Sequence, residues 1–128
     1  MIKSVSVLYI DDEPDIREIA VMALTLEPRF EVETAASGED ALSRLMDKSR
    51  VPDVILLDVM MPGVDGPKAL QRLRQIPWLV ATPVIFITAR ARESELTHFL
   101  GLGAAAVITK PFDPMTLASQ VKAILGLD

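Results

Sequence analysis

The chain is 128 residues long, half of them apolar and 24% charged, with 18 acidic against 13 basic side chains and a net charge of −5. That length suits one domain with a single core, the composition is that of a soluble globular protein, and the acidic balance argues against a nucleic-acid footprint. No cysteine is present, which excludes disulfides and thiolate metal sites and agrees with a cytoplasmic location; no apolar run approaches the roughly 20 residues of a membrane span, and the opening run, broken by Asp11-Asp12, is too short for a secretory signal.

Strand-like and helix-like segments alternate along the chain. Val5 to Ile10 is a short apolar, β-branched run. A helix follows over Pro14 to Leu26, with Ile16, Ile19, Ala20 and Ala23 at helical spacing on one face. Asp12 is placed to cap it, Glu13 and Asp15 suit its positive end, and Pro14 is tolerated in the first turn. Phe30 to Thr34 alternates apolar and charged residues, as in a half-buried strand near a sheet edge. Ser37-Gly-Glu-Asp40 reads as a capping box that opens a helix to about Lys48, burying Ala41, Leu42 and Leu45.

Val54 to Leu57 is uninterrupted apolar, the pattern of a central strand covered on both faces, and it stops at Asp58. Met60 to Gly66 is rich in turn residues. A helix over Lys68 to Ile76 precedes a strand over Pro83 to Ile87 that ends at Thr88. A short helix over Ser94 to Leu102 leads through Gly101-Leu-Gly103 to a fifth strand, Ala105 to Ile108. Asp113-Pro114 opens a last helix to about Leu125, with Leu117, Val121 and Ile124 inward. Strict alternation of this kind predicts an α/β fold, a doubly wound five-stranded parallel sheet with right-handed crossovers.

The polar residues that end the strands carry the chemistry. In a doubly wound sheet the carboxyl ends of the strands share one edge, and ligands bind where the strand order reverses. Asp11 and Asp12, Asp58, Thr88 and Lys110 all fall there, whereas the second strand ends in Thr34-Ala-Ala and adds nothing. Three crowded carboxylates cannot all stay ionised without countercharge. A hard, oxygen-loving cation such as Mg²⁺ supplies it while leaving coordination sites for water and phosphate oxygens. Lys110 adds a fixed positive charge and Thr88 a hydroxyl donor. A carboxylate in that setting is a competent nucleophile on phosphorus, because phosphoryl transfer needs mainly positioning and charge neutralisation.

Tyr9-Ile-Asp-Asp-Glu-Pro14, Ile55-Leu-Leu-Asp-Val-Met-Met-Pro-Gly63 with Asp65-Gly66, Pro83-Val-Ile-Phe-Ile-Thr-Ala89, and Gly103-Ala with Thr109-Lys-Pro-Phe112 occur in order, each at a strand end. Through them the chain resembles the response-regulator receiver domains of two-component signalling over essentially its whole length. The resemblance implies a flavodoxin/CheY-like fold, one receiver domain over residues 1–128 and no output domain in this chain. It makes Asp58 the phosphoacceptor and Asp12 a direct Mg²⁺ ligand. Asp11 would hold the metal through water or orient it, Met60 would ligate through its backbone carbonyl, and Thr88 and Lys110 would contact the phosphoryl group. The Lys110-Pro111 bond is expected to be cis. The implied donor is a sensor histidine kinase or a histidine phosphotransfer protein. The implied output is a change in the face of the fourth helix, fifth strand and fifth helix, read by a downstream protein. Such a switch is not a turnover enzyme.

Two departures and several plainer readings belong beside this. Val107 stands where most receivers carry an aromatic residue that rotates on activation, and a stiff, short side chain cannot do so; as a plain strand residue it needs no special role. Ala104 to Ala106 lack the acidic residues of many dimerising regulators. Taken one at a time, Asp11-Asp12 reads as a cap, Asp58 as a turn residue, Thr88 as a strand end and Lys110 as a solvated lysine. His98 reads as surface, Trp78 as a cover on a helix end, Met60-Met61 as loop packing, and Arg72, Arg74, Arg90 and Arg92 as solvated or rim residues. Two rival functions remain: a phosphorylation-independent interaction module on the same fold, and a small aspartyl-phosphate phosphohydrolase.

Overall fold

The computed structural model of the chain describes residues 3–90 and 92–127. Strands and helices alternate as β1 (Val5–Ile10), α1 (Pro14–Leu24), β2 (Phe30–Ala35), α2 (Gly38–Leu45), β3 (Val54–Asp58), α3 (Gly66–Leu73), β4 (Val84–Thr88), α4 (Glu93–Gly101), β5 (Ala106–Thr109) and α5 (Leu117–Leu125), with 3₁₀ turns at Lys48–Arg50 and Pro77–Leu79. The strands form one parallel sheet in the order β2-β1-β3-β4-β5. The chain steps outward from β1 to β2 and then crosses back to β3, so the order reverses between β1 and β3. That switch point is where Asp11 and Asp58 emerge.

The apolar strand sequences follow from burial on both sides, since alternate residues face opposite ways. Leu8, Ile10, Ile55, Leu57, Val84 and Phe86 gather with Ala41 and Leu45 of α2, Leu70 and Leu73 of α3, and Phe99 of α4. Val7, Tyr9, Val54, Leu56, Ile85 and Ile87 gather with Ala20 and Leu24 of α1 and Leu117 and Val121 of α5. β2 alternates in burial, as its sequence predicts for an edge strand. The Val107 side chain is half-buried and packs against the cluster that contains Phe86 and Phe99, as an ordinary strand residue would.

Local hydrogen bonding moves several predicted boundaries. Asp12 does not cap α1. Glu13 is the N-cap and makes no side-chain cap bond, while Asp11 Oδ1 accepts the Glu13 N–H at 3.0 Å. α1 stops at Leu24, and Ile19 is 41% exposed rather than inward. Half of the predicted capping box forms at α2: Ser37 Oγ accepts the Asp40 N–H at 3.0 Å, and the Asp40 carboxylate turns to Arg44, 2.7 Å away, instead of back to Ser37. α3 starts two residues early because Asp65 Oδ1 accepts the Lys68 N–H. Asp113 Oδ1 accepts the Met115 N–H at 2.9 Å, but this closes a turn, and regular α5 begins only at Leu117.

Arg74 is not solvated as its sequence context suggests. Its guanidinium is half-buried and donates to the carbonyls of Leu79 at 2.8 Å and Thr82 at 2.7 Å, tying down the connection from α3 to β4. Desolvation lowers its proton affinity, and the two bonds it makes go to carbonyls. Trp78 does cover a helix end: its Nε1–H donates to the carbonyl of Leu45, the last residue of α2, at 2.9 Å.

Candidate functional site

Strand alternation decides which polar side chains meet. Asp11 follows Val7 and Tyr9 in register, Asp58 follows Val54 and Leu56, and Lys110 follows Ala106 and Ile108, all from the face covered by α1 and α5. These three converge. Asp11 is wholly buried and Asp58 is 3% exposed. The Lys110 ammonium lies 3.0 Å from Asp11 Oδ2 and 3.2 Å from Asp58 Oδ2. It is also 4.0 Å from Glu13. Thr88 has the opposite parity, in step with Val84 and Phe86. It is 1% exposed, and its Oγ accepts the Arg90 N–H at 3.0 Å. The Thr88 carbonyl accepts the Lys110 N–H at 2.8 Å, which sets the base of the lysine beside it. The Lys110-Pro111 bond is cis, as the resemblance implied.

Each carboxylate is held by backbone as well. Asp58 Oδ1 accepts the Met60 N–H at 3.3 Å, and the Met60 side chain is 63% exposed. Met61 is buried, so of the methionine pair only Met61 packs into the core. Gly66 is required where α3 passes the site. A Cβ there would sit 2.8 Å from Val59 Cα and 2.9 Å from the Asp58 carbonyl oxygen, both backbone atoms that cannot step aside.

The electrostatics reflect two buried acids sharing one base. Burial, and then the charge of Asp11, push the Asp58 carboxyl up to about 6 despite the Lys110 contact. Burial alone would lower the proton affinity of Lys110, but its bond to Asp11 and the charge of Asp58 outweigh burial and raise it. Asp12 is half-exposed at the rim, and oxygens of Asp11, Asp12 and Glu13 lie within 4.8 Å of one another. This all-oxygen set, faced by the Lys110 ammonium, suits a hard divalent cation. Glu13 is a ligand candidate that sequence reasoning left as a helix-end acid.

Tyr9 and Arg17 were also missed. The Tyr9 O–H donates to Asp11 Oδ2 at 3.0 Å, and Arg17 donates to the Asp11 carbonyl at 2.8 Å. Burial and the neighbouring Asp11 charge raise the Tyr9 phenol far above its ordinary value, so it stays a donor. Alternation alone signals the tyrosine, two residues before Asp11 on the same face. His98 is exposed, as expected. Beside Lys110, a hollow of about 300 Å³ is walled by Ile16, Ile19, Pro111, Phe112 and Pro114. Among the described residues, no helix is long and apolar enough to cross a membrane.

The family model described as "Response regulator receiver domain" matches residues 7–122. Among curated relatives, the phosphate regulon transcriptional regulatory protein PhoB of Rhizobium meliloti is 44% identical over 75% of this chain and 41% of its own length. Response regulator Rre1 of Synechocystis is 35% identical over 98% of this chain and 54% of its own. The chain thus spans about half the length of these relatives. Among solved structures, the chemotaxis protein CheY4 of Vibrio cholerae superposes with a TM-score of 0.83 at 30% identity, covering 94% of this chain and 98% of that one. A putative response regulator from Chloroflexus aurantiacus gives 0.85 at 34% identity, with 97% and 99% covered.

Proposed function

Because this chain belongs to the response regulator receiver domain family, we propose that Asp58 accepts a phosphoryl group from a phosphohistidine donor with the help of Mg²⁺. The observation that carries this reading is the Lys110 ammonium held between Asp11 and Asp58 at 3.0 and 3.2 Å. It marks Asp58 as a buried carboxylate with a cation and a second acid at its side. Asp12, Asp11, Asp58 and the Met60 carbonyl would hold the Mg²⁺, with Glu13 as a further oxygen donor. When bound, the ion supplies countercharge for the acidic cluster and for the phosphoryl oxygens.

The chain's own groups do the rest. An Asp58 oxygen donates its electron pair to phosphorus, the phosphorus–nitrogen bond breaks, and that pair stays on the departing imidazole, which is protonated by solvent. Lys110 transfers its contact to a phosphoryl oxygen, and Thr88, whose Oγ already accepts from Arg90, turns its O–H the same way. Attack of water on phosphorus later returns the carboxylate. The resulting acyl phosphate biases a two-state equilibrium at the α4, β5 and α5 face. The backbone bond from Lys110 to the Thr88 carbonyl supports β5 as part of that route. The apolar hollow beside Lys110 favours a protein donor, a sensor kinase or histidine phosphotransfer protein, over a small one. This is a switch in the cytoplasm rather than a turnover enzyme, and a downstream protein reads it.

Phosphoramidate carries the same phosphorus–nitrogen bond as phosphohistidine and tests the reading. With Mg²⁺ it is expected to label the chain with a hydroxylamine-labile phosphoryl group, and with EDTA to leave it unlabelled. Equal labelling under both conditions would refute the role given to the metal.

A further inference from the structure

Tyr9 is the chain's single tyrosine, and none of its surface is exposed. Its hydroxyl has a defined task in the structure, donating to Asp11 Oδ2 at 3.0 Å. The other Asp11 oxygen accepts the Glu13 N–H at 3.0 Å. The Tyr9 ring is fixed in turn. It belongs to the core cluster of β1, α1 and α5, and Phe112 meets it edge-on with centroids 6.4 Å apart at 74°. Phe112 lies two residues beyond Lys110, on the segment that carries the lysine.

Asp11 Oδ2 therefore has two donors of different kinds. Lys110 is charged, sits on a flexible stem and is shared with Asp58. Tyr9 is neutral, its ring is held in the core, and its hydroxyl donates to Asp11. A donor that orients a carboxylate without cancelling its charge is what a metal ligand needs from its surroundings. We propose that Tyr9 is a positioning residue for the cation site: its hydroxyl fixes the direction of Asp11 and thereby sets the affinity for Mg²⁺. This rests on the reading of the acidic cluster as a Mg²⁺ site. When Lys110 leaves Asp11 for a phosphoryl oxygen, the tyrosine keeps the carboxylate from turning.

Tyr9→Phe removes the hydroxyl and keeps the ring against Phe112. Calorimetric titration of the full chain is expected to show Mg²⁺ binding about tenfold weaker in the variant, the usual loss for a partner of a metal ligand. A merely structural tyrosine would alter unfolding in EDTA and leave that affinity alone. In the unaltered chain, Mg²⁺ should perturb the near-ultraviolet tyrosine spectrum with the calorimetric midpoint, a measurement that stands even if the variant does not fold. Equal affinities of the two chains, or a silent tyrosine spectrum while calorimetry records binding, would overturn the proposal and leave the metal reading intact. No Mg²⁺ binding by the unaltered chain would overturn both.

Discussion

Lys110 and Asp11 form an ion pair of 3.0 Å that joins the ends of β5 and β1 across the sheet, and the same ammonium reaches Asp58 at 3.2 Å. A single lysine thus holds two buried acids from different strands. In the metal-free protein Lys110→Ala strands both charges. Breaking a buried pair from one side costs about 3 kcal/mol or more, so urea unfolding in EDTA should show a loss of that order. Saturating Mg²⁺ should recover much of it. An unchanged midpoint in EDTA would mean that the lysine does not neutralise the pair.

Asp58 gives a pH dependence of definite sign. Its carboxyl is raised from 3.8 to about 6, first by burial and then by Asp11, so the folded chain binds the proton more tightly than the unfolded chain. Its contribution is fully favourable below the unfolded value and is lost as pH rises through about 6. Each tenfold change in proton affinity is worth about 1.4 kcal/mol, which makes the ionised group cost about 2 to 3 kcal/mol at neutral pH. Asp58→Asn should therefore be the more stable protein in EDTA at pH 7, with the gap closing towards pH 4. Thermal denaturation across that range measures it, and a gap that widens on acidification would reverse the assignment.

Gly66→Ala should damage the site without touching a charged group. The added methyl meets backbone of Val59 and Asp58 at 2.8 and 2.9 Å, and overpacking against atoms that cannot move costs about 1 to 3 kcal/mol. Stability should fall by that amount and phosphoryl labelling should slow, because the strained carbonyl belongs to Asp58 itself. Labelling at the normal rate would show that the loop has room.

Arg74→Met separates folding from function. Removing the guanidinium leaves the Leu79 and Thr82 carbonyls without its two bonds, at a cost of about 2 kcal/mol. Urea unfolding should register the loss while Mg²⁺-dependent labelling proceeds as before. A labelling defect as large as the stability defect would place the α3 to β4 connection in the switch.

The parts of the molecule that were legible in sequence are those written in strand periodicity. Val54 to Asp58 and Val84 to Thr88 are buried along their whole length, and uninterrupted apolar runs state this directly. The same period brought Asp11, Asp58 and Lys110 to one edge. Three-dimensional choices among local hydrogen bonds were not legible: Asp40 prefers Arg44 to the Ser37 backbone, and Asp11 rather than Asp12 takes the Glu13 N–H. Arg74 and Tyr9 differ in this respect. The partners of Arg74 are carbonyls of the connection that follows its helix, which leave no spacing signature, whereas Tyr9 carries one in its place two residues before Asp11 on the same face.

The most direct measurement is intact mass after acetyl phosphate and Mg²⁺, on the unaltered chain and on Asp58→Asn. One added phosphoryl group is expected on the former and none on the latter. No added mass on the unaltered chain, or equal labelling of both, would contradict Asp58 as the acceptor.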